Sequence, residues 1–249
     1  MVAYLKRENK PDLAYRKTDA ANSDENRPTI MFLGGFRSDM EGTKAQFLDD
    51  MAKELGLSFI RFDYSGHGVS KGDFKDGCIS DWADDAFSIL DELTTGKTML
   101  VGSSMGGWIS LLLALKSSER IHSIVGLAAA PDFTKIMEEG MSDQQRQALE
   151  EKGYFALDND YSDDPYVITK KLIEDGRDQF LLGKNIDVNV PVRLIQGKKD
   201  MDVDWHTAEK IKASLLSNDV EVILLDEADH RLSAPNELDV LSKTIRALL

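Results

Sequence analysis

The chain has 249 residues, 42% of them hydrophobic and 30% charged; this apolar content excludes an intrinsically disordered protein, and one domain of this length buries roughly three quarters of its unfolded surface. Lys and Arg number 30 against 44 Asp and Glu, a formal net charge of −14, which repels phosphate backbones and anionic lipid and so points away from nucleic acid as a partner. The single cysteine, Cys78, excludes a disulfide framework, and the longest apolar run, residues 108–115 broken only by Ser110, falls far short of the roughly 20 residues of a membrane span.

Residues 1–10 carry charges but no apolar signal core, so a soluble protein of a reducing, cytoplasmic compartment with no integral membrane segment is expected. Residues 2–6 and 13–16 form short β-type runs close together, a hairpin-like lead-in. Further runs follow at 29–33, 58–62, 98–101, 123–127, 192–195 and 221–225, the middle ones almost continuously apolar, as parallel strands covered on both faces are. Helical spacing fills the intervals: Phe47, Met51 and Leu55 share a face, as do Trp82, Ala86, Ile89 and Leu93, and as do Leu238, Leu241, Ile245 and Leu248. The alternation predicts an α/β protein with an eight-stranded, mostly parallel, doubly wound sheet, residues 1–249 making one domain.

Between Pro131 and Pro191 the rhythm breaks. Residues 137–149 and 167–182 show helical patterns around the polar stretch 158–164, and no strand is apparent. A structureless connection of that length is rare in a compact domain, so residues 131–190 are expected to form an inserted helical cap. Phe133, Met137, Met141, Tyr154, Phe155, Tyr161, Tyr166 and Phe180 lie in it; each either glues the insertion to the body or lines an apolar substrate pocket beneath it.

Gly102-Ser103-Ser104-Met105-Gly106, directly after the run at 98–101 and before a helical stretch, is a Gly-x-Ser-x-Gly nucleophile elbow in its strand-turn-helix setting. The turn lifts the Ser104 hydroxyl above the sheet, sets the Met105 N–H beside it and aims a helix N-terminus at developing negative charge. A serine hydroxyl needs a general base, and the base needs an orienting acid. Of the four histidines, His67 lies in a tight turn, His122 opens a strand and His206 starts a helix; all three read as structural. His230 follows the last strand through a short loop at the carboxyl edge of the sheet, where open α/β sheets place their sites. Asp200, just beyond the run at 192–195, is the first candidate for the acid, with Asp202 and Asp204 as rivals. An oxyanion hole needs a second N–H donor, and Phe36 supplies one after Gly34-Gly35, whose missing side chains admit close approach. Neither a metal-ligand spacing nor a dinucleotide fingerprint is present, so no metal and no cofactor are expected.

The elbow, the chain order Ser104, Asp200, His230 and the insertion resemble the α/β-hydrolase superfamily. The blocks Gly35-Phe36-Arg37-Ser38-Asp39-Met40, Arg61-Phe62-Asp63-Tyr64-Ser65-Gly66, Trp205-His206-Thr207 and Asp229-His230-Arg231 are similar to those of mitochondrial palmitoyl-protein thioesterases, also described as acyl-glucuronide esterases, and their bacterial homologues. The resemblance implies a serine hydrolase for acyl thioesters or activated esters, acting on a small molecule or acyl-protein with an apolar chain. It leaves a general carboxylesterase, an acyl-glucuronide esterase or a non-catalytic binding scaffold as alternatives. Two positions depart from common superfamily patterns: Gly34-Gly35 stands in place of His-Gly, and Val203-Asp204 in place of Val-Pro. Without a transit segment, a bacterial cytoplasmic setting is expected.

Overall fold

In the computed structural model, residues 1–21, 27–157 and 165–249 are described. The lead-in strands β1 (Ala3–Leu5) and β2 (Leu13–Thr18) pair antiparallel, and β2 pairs antiparallel with β4 (Phe59–Phe62). All remaining ladders are parallel: β3 (Thr29–Leu33) with β4 and with β5 (Thr98–Ser103), β5 with β6 (Ile121–Leu127), β6 with β9 (Val192–Gly197), and β9 with β10 (Val220–Leu225). The eight strands lie in the order β1-β2-β4-β3-β5-β6-β9-β10. They occupy the places the sequence pattern indicates. β5 and β9 run two residues further than their apolar stretches, so β5 ends next to Ser104 and β9 ends three residues before Asp200.

Every residue of β3 is buried, and the period-2 alternation explains why both of its faces are apolar. Ile30 and Phe32, with Met99 and Val101 of β5, pack under α1 (Thr43–Leu55) and α8 (Pro235–Ala247). Met31 and Leu33, with Leu100, face the opposite layer, built by α2 (Ile79–Leu93) and α3 (Met105–Lys116) around Trp82 and Trp108. The last layer helix, α7 (His206–Ser214), connects β9 to β10.

The insertion between β6 and β9 differs from an all-helical one. It holds α4 (Phe133–Glu139), α5 (Asp143–Lys152), a two-stranded antiparallel hairpin of β7 (Tyr154–Leu157) and β8 (Tyr166–Thr169), and α6 (Lys170–Asp178). The helix expected at 137–149 is two helices, because Gly140 closes the first and Ser142 opens the second with a capping box to Gln145. The helix expected at 167–182 begins as a strand. Val167, Ile168 and Thr169 are all β-branched and stiff, and they pair with Ala156, Phe155 and Tyr154. Thr169 then caps α6 by accepting from the Leu172 N–H at 3.1 Å. Buried Asp132 closes the base of the insertion by accepting from the N–H groups of Leu181 at 2.8 Å and Leu182 at 2.9 Å.

The elbow depends on how closely α3 crosses β3. A Cβ on Gly106 would lie 2.1 Å from the Leu33 carbonyl oxygen and 2.7 Å from that of Gly34, both backbone atoms that cannot swing aside. Alanine favours a helix over glycine by about 1 kcal/mol, so propensity alone predicts that Gly106→Ala stabilises. The overpacking predicts the reverse, a loss of about 2 kcal/mol or more in urea unfolding; a stabilised variant would contradict this packing.

Candidate active site

β5 delivers Ser104 into a turn with φ 54° and ψ −117°. The surrounding backbone enforces this conformation, which side-chain-bearing residues rarely adopt. The Ser104 N–H donates to the Leu127 carbonyl at 2.9 Å, and its carbonyl accepts from Gly107 N–H at 2.9 Å and Ala130 N–H at 3.1 Å. The hydroxyl lies 3.2 Å from Nε2 of His230.

His230 sits in the loop after β10, which is zipped to the loop after β9: Lys198 N–H donates to the Leu225 carbonyl at 2.9 Å and Lys199 N–H to that of Ala228 at 3.0 Å. Nδ1 of His230 lies 2.9 Å from Oδ2 of Asp200. With Nδ1–H donating to that carboxylate, Nε2 is left to accept from the Ser104 hydroxyl. Lys44, near the start of α1, steadies the same loop by donating to the Arg231 carbonyl. Burial pushes the Lys44 ammonium down to about 8, against the opposing pull of Asp229 and Glu237.

Of the three candidate acids, Asp200 meets Nδ1 of the imidazole at 2.9 Å, and Asp202 stands close by, its ligating atom within 4.8 Å of theirs. Oδ1 of Asp200 accepts from the N–H groups of Asp202 at 2.9 Å and Val203 at 2.8 Å, and Gln196 Nε2 donates to Oδ2 at 2.8 Å. Burial raises the Asp200 carboxyl, but the hydrogen bonds from His230 and Val203 outweigh it and the net displacement is downward. Asp204 is taken up by exposed His206, 2.7 Å from its Nδ1. Asp200, Asp202 and His230 are the one group among the described residues whose ligating atoms lie within 4.8 Å of one another. Its central donors are already spent on N–H groups and on the imidazole, which does not suit a cation.

The loop after β3 passes directly against the elbow. A Cβ on Gly35 would lie 3.4 Å from the Ser104 Cβ, so the Gly35 backbone runs close beside the serine. The Phe36 ring meets Phe74, Phe133, Tyr166 and Trp82 edge-on at centroid distances of 5.0, 5.5, 5.7 and 5.9 Å, the favoured geometry for aromatic pairs. Arg37 follows at φ 55°, its guanidinium 5.2 Å from the Phe74 ring and 5.4 Å from that of Tyr166. The far end of this loop is held by two residues that the motif reading quoted without a role. Arg61 donates to the Met40 carbonyl at 2.8 Å, and Asp63 accepts from the Met40 N–H at 2.7 Å. Their signal in the sequence is a charge inside the apolar run of β4, Arg61, and another directly after it, Asp63.

A cavity of about 680 Å³ opens over Ser104 and His230. Of the insertion's apolar residues, Phe133, Met137 and Tyr166 line it, together with Ile136, which the sequence reading did not single out. Met141 and Phe155 are buried in the core instead, Phe180 packs against Trp108, and Tyr154 is exposed. Tyr161 lies outside the described residues. Cys78 is buried at the start of α2, its thiol donating to Asp81 and pushed up to about 11 by burial; it takes no part in the site.

Residues 28–163 match the family model described as alpha/beta hydrolase fold. The chain is 35% identical over 249 residues to the mitochondrial palmitoyl-protein thioesterase ABHD10 of Homo sapiens, covering 100% of this chain and 80% of that protein. Among solved structures, a putative hydrolase from Agrobacterium vitis S4 is similar at 41% identity and a TM-score of 0.94, over 100% of this chain and 97% of that one. Alpha/beta hydrolase domain-containing protein 10 from mouse is similar at 33% identity and a TM-score of 0.90, over 100% and 98%. No helix among the described residues is long and apolar enough to cross a membrane.

His67 is structural. It is buried among the rings of Tyr64, Phe74 and Trp82, and burial drives its imidazole down to about 4. As pH falls below the ordinary histidine value of about 6.5, the unfolded chain binds a proton that the folded chain refuses until near 4. Stability is therefore full above that window and lost through it. His67 alone should remove about 2 kcal/mol between pH 7.5 and pH 5. Urea unfolding at the two pH values should show that share missing in His67→Gln; an equal loss in both proteins would refute the assignment.

Proposed function

The chain belongs to the α/β-hydrolase fold family, and from that premise we propose that it is a serine hydrolase cleaving acyl thioesters or carboxylic esters through an acyl-enzyme. One observation carries the reading: Ser104, His230 and Asp200, each from the carboxyl end of a different strand, form a continuous chain of contacts at 3.2 and 2.9 Å. The thioesterase relative named above and the apolar wall of Phe36, Phe133, Ile136 and Met137 favour an acyl chain as the group held under the insertion, residues 131–190, which acts as a cap.

His230 Nε2 takes the Ser104 proton as Oγ bonds to the carbonyl carbon, and the carbonyl π electrons move onto oxygen. The N–H groups of Phe36 and Met105 hold that oxyanion, each donor of this kind lowering the barrier by about 3–4 kcal/mol in serine hydrolases. Asp200 stabilises the imidazolium and keeps Nδ1 protonated. As the tetrahedral species collapses, the C–S or C–O bond breaks and His230 passes its proton to the leaving thiolate or alkoxide. Water then enters, gives a proton to Nε2 and attacks the acyl carbon; collapse returns that proton to Ser104 and releases the carboxylic acid.

A panel of p-nitrophenyl esters, acyl-coenzyme A and palmitoyl-cysteine substrates of varied chain length tests this reading. Activity should rise with pH across the range in which an imidazole loses its proton. Ser104→Ala should lower kcat by about 1000-fold or more with little change in fold. Full activity in Ser104→Ala, or none in the wild type on any of these substrates, would remove the hydrolase reading and leave a binding scaffold.

A further inference from the structure

Gln196, in β9, is only 1% exposed. Its neighbours Leu194 and Ile195 belong to the two apolar layers, and an amide buried at such a position needs compensating partners. Nε2 lies 2.8 Å from Oδ2 of Asp200, 3.3 Å from the Gly197 carbonyl and 3.4 Å from the Val203 carbonyl. All three neighbours are oxygens that accept, which fixes the orientation of the amide: reversed, it would set oxygen against oxygen. The oxygen that Gln196 reaches is the one that receives His230 Nδ1 at 2.9 Å, while Oδ1 is already occupied by the N–H groups of Asp202 and Val203.

We propose that Gln196 is a positioning residue for the triad: its amide fixes Oδ2 of Asp200 in line with His230 Nδ1 and draws off part of that oxygen's negative charge. The inference rests on the serine-hydrolase reading above. Nε2 carries two hydrogens, for which the two backbone carbonyls would suffice; the shortest of its contacts goes instead to the carboxylate. Removing the donor has two consequences for the chemistry. The carboxylate loses one restraint on its direction, which misaligns the imidazole and slows turnover. Oδ2 also presents more of its charge to His230, which then holds its proton to higher pH and becomes available as a base later in a titration.

Among the charged groups around this pair, Asp202 on the same loop lies within 4.8 Å of its ligating atoms, Lys44 of α1 and Arg231 line the same cavity as His230, and Asp229 and Glu237 act on Lys44. Arg37 and Asp39 lie across the cavity, on the loop after β3. Substituting Gln196 leaves all of them in place, so a displaced pH profile reports on the lost donor.

The experiment measures kcat and KM on a short-chain p-nitrophenyl ester from pH 5 to 9 for the wild type, Gln196→Met, Gln196→Leu and Ser104→Ala, with Tm recorded for each. The two apolar variants are close in volume, so either serves if the other does not fold. The expected result is a fall in kcat of about tenfold, KM within about twofold, and an acid-limb midpoint at least about 0.3 pH unit higher than in the wild type. A midpoint displaced by less than that in the folded variants overturns the proposal, whatever their rate or Tm, since loss of packing alone lowers the amount of active protein without moving its titration. Ser104→Ala separates the two levels of failure: if it is as active as the wild type, the hydrolase reading falls, whereas an inactive Ser104→Ala beside unmoved midpoints removes only the role of Gln196.

Discussion

A serine at φ 54° and ψ −117° is strained, and the site is organised around holding it there. Three backbone hydrogen bonds clamp the residue between β5, β6 and α3, and α3 can reach β3 closely enough only because Gly106 has no side chain. The strain is not confined to the elbow. Among the described residues six non-glycine residues have positive φ, and five of them lie along the carboxyl edge of the sheet: Arg37, Ser104, Ala128, Asp132 and Leu232. Conformations of this kind persist only where the surroundings over-determine them, and they gather at functional sites. Arg37 and Ser104 line the cavity itself, so part of its wall is set by backbone conformation.

Electrostatics completes what the backbone begins. A buried carboxylate is unfavourable unless its oxygens are fully engaged, and Asp200 accepts two backbone N–H groups, one amide and one imidazole. That engagement keeps it ionised and directional next to His230. The net charge of −14 says little about this interior, where Arg37, Lys44 and Arg231 all line the cavity. Lys44 shows the link between charge and architecture, since the same ammonium tethers the His230 loop to α1 and loses basicity through its burial.

The parts of the site that could be read from the sequence are those with local causes. The elbow is a five-residue pattern between a strand and a helix, and the order Ser104, Asp200, His230 follows from strand ends that apolar runs mark clearly. The choice among Asp200, Asp202 and Asp204 is not local: it depends on which carboxylate meets Nδ1 of His230, thirty residues further along the chain. The hairpin of β7 and β8 was hidden because its strands have four residues each and their pairing spans the polar stretch 158–164. Which apolar residues of the insertion reach the cavity was hidden for a similar reason. Met137 and Met141 are alike in sequence, and the break at Gly140 sends one to the cavity and the other to the core. Arg61, Asp63 and Gln196 act through partners in other loops or across a turn, and their only local trace is a polar residue in or just after an apolar strand run.

The central claim, that this geometry makes Ser104 a nucleophile, is tested most directly by reaction with a fluorophosphonate, which phosphonylates only a serine activated by a neighbouring base. Intact-protein mass spectrometry followed by peptide mapping should find one adduct per chain, on Ser104, absent from Ser104→Ala and slowed when Asp200 is replaced by Asn. An unlabelled wild type, or a Ser104→Ala protein that labels equally well, would contradict the account.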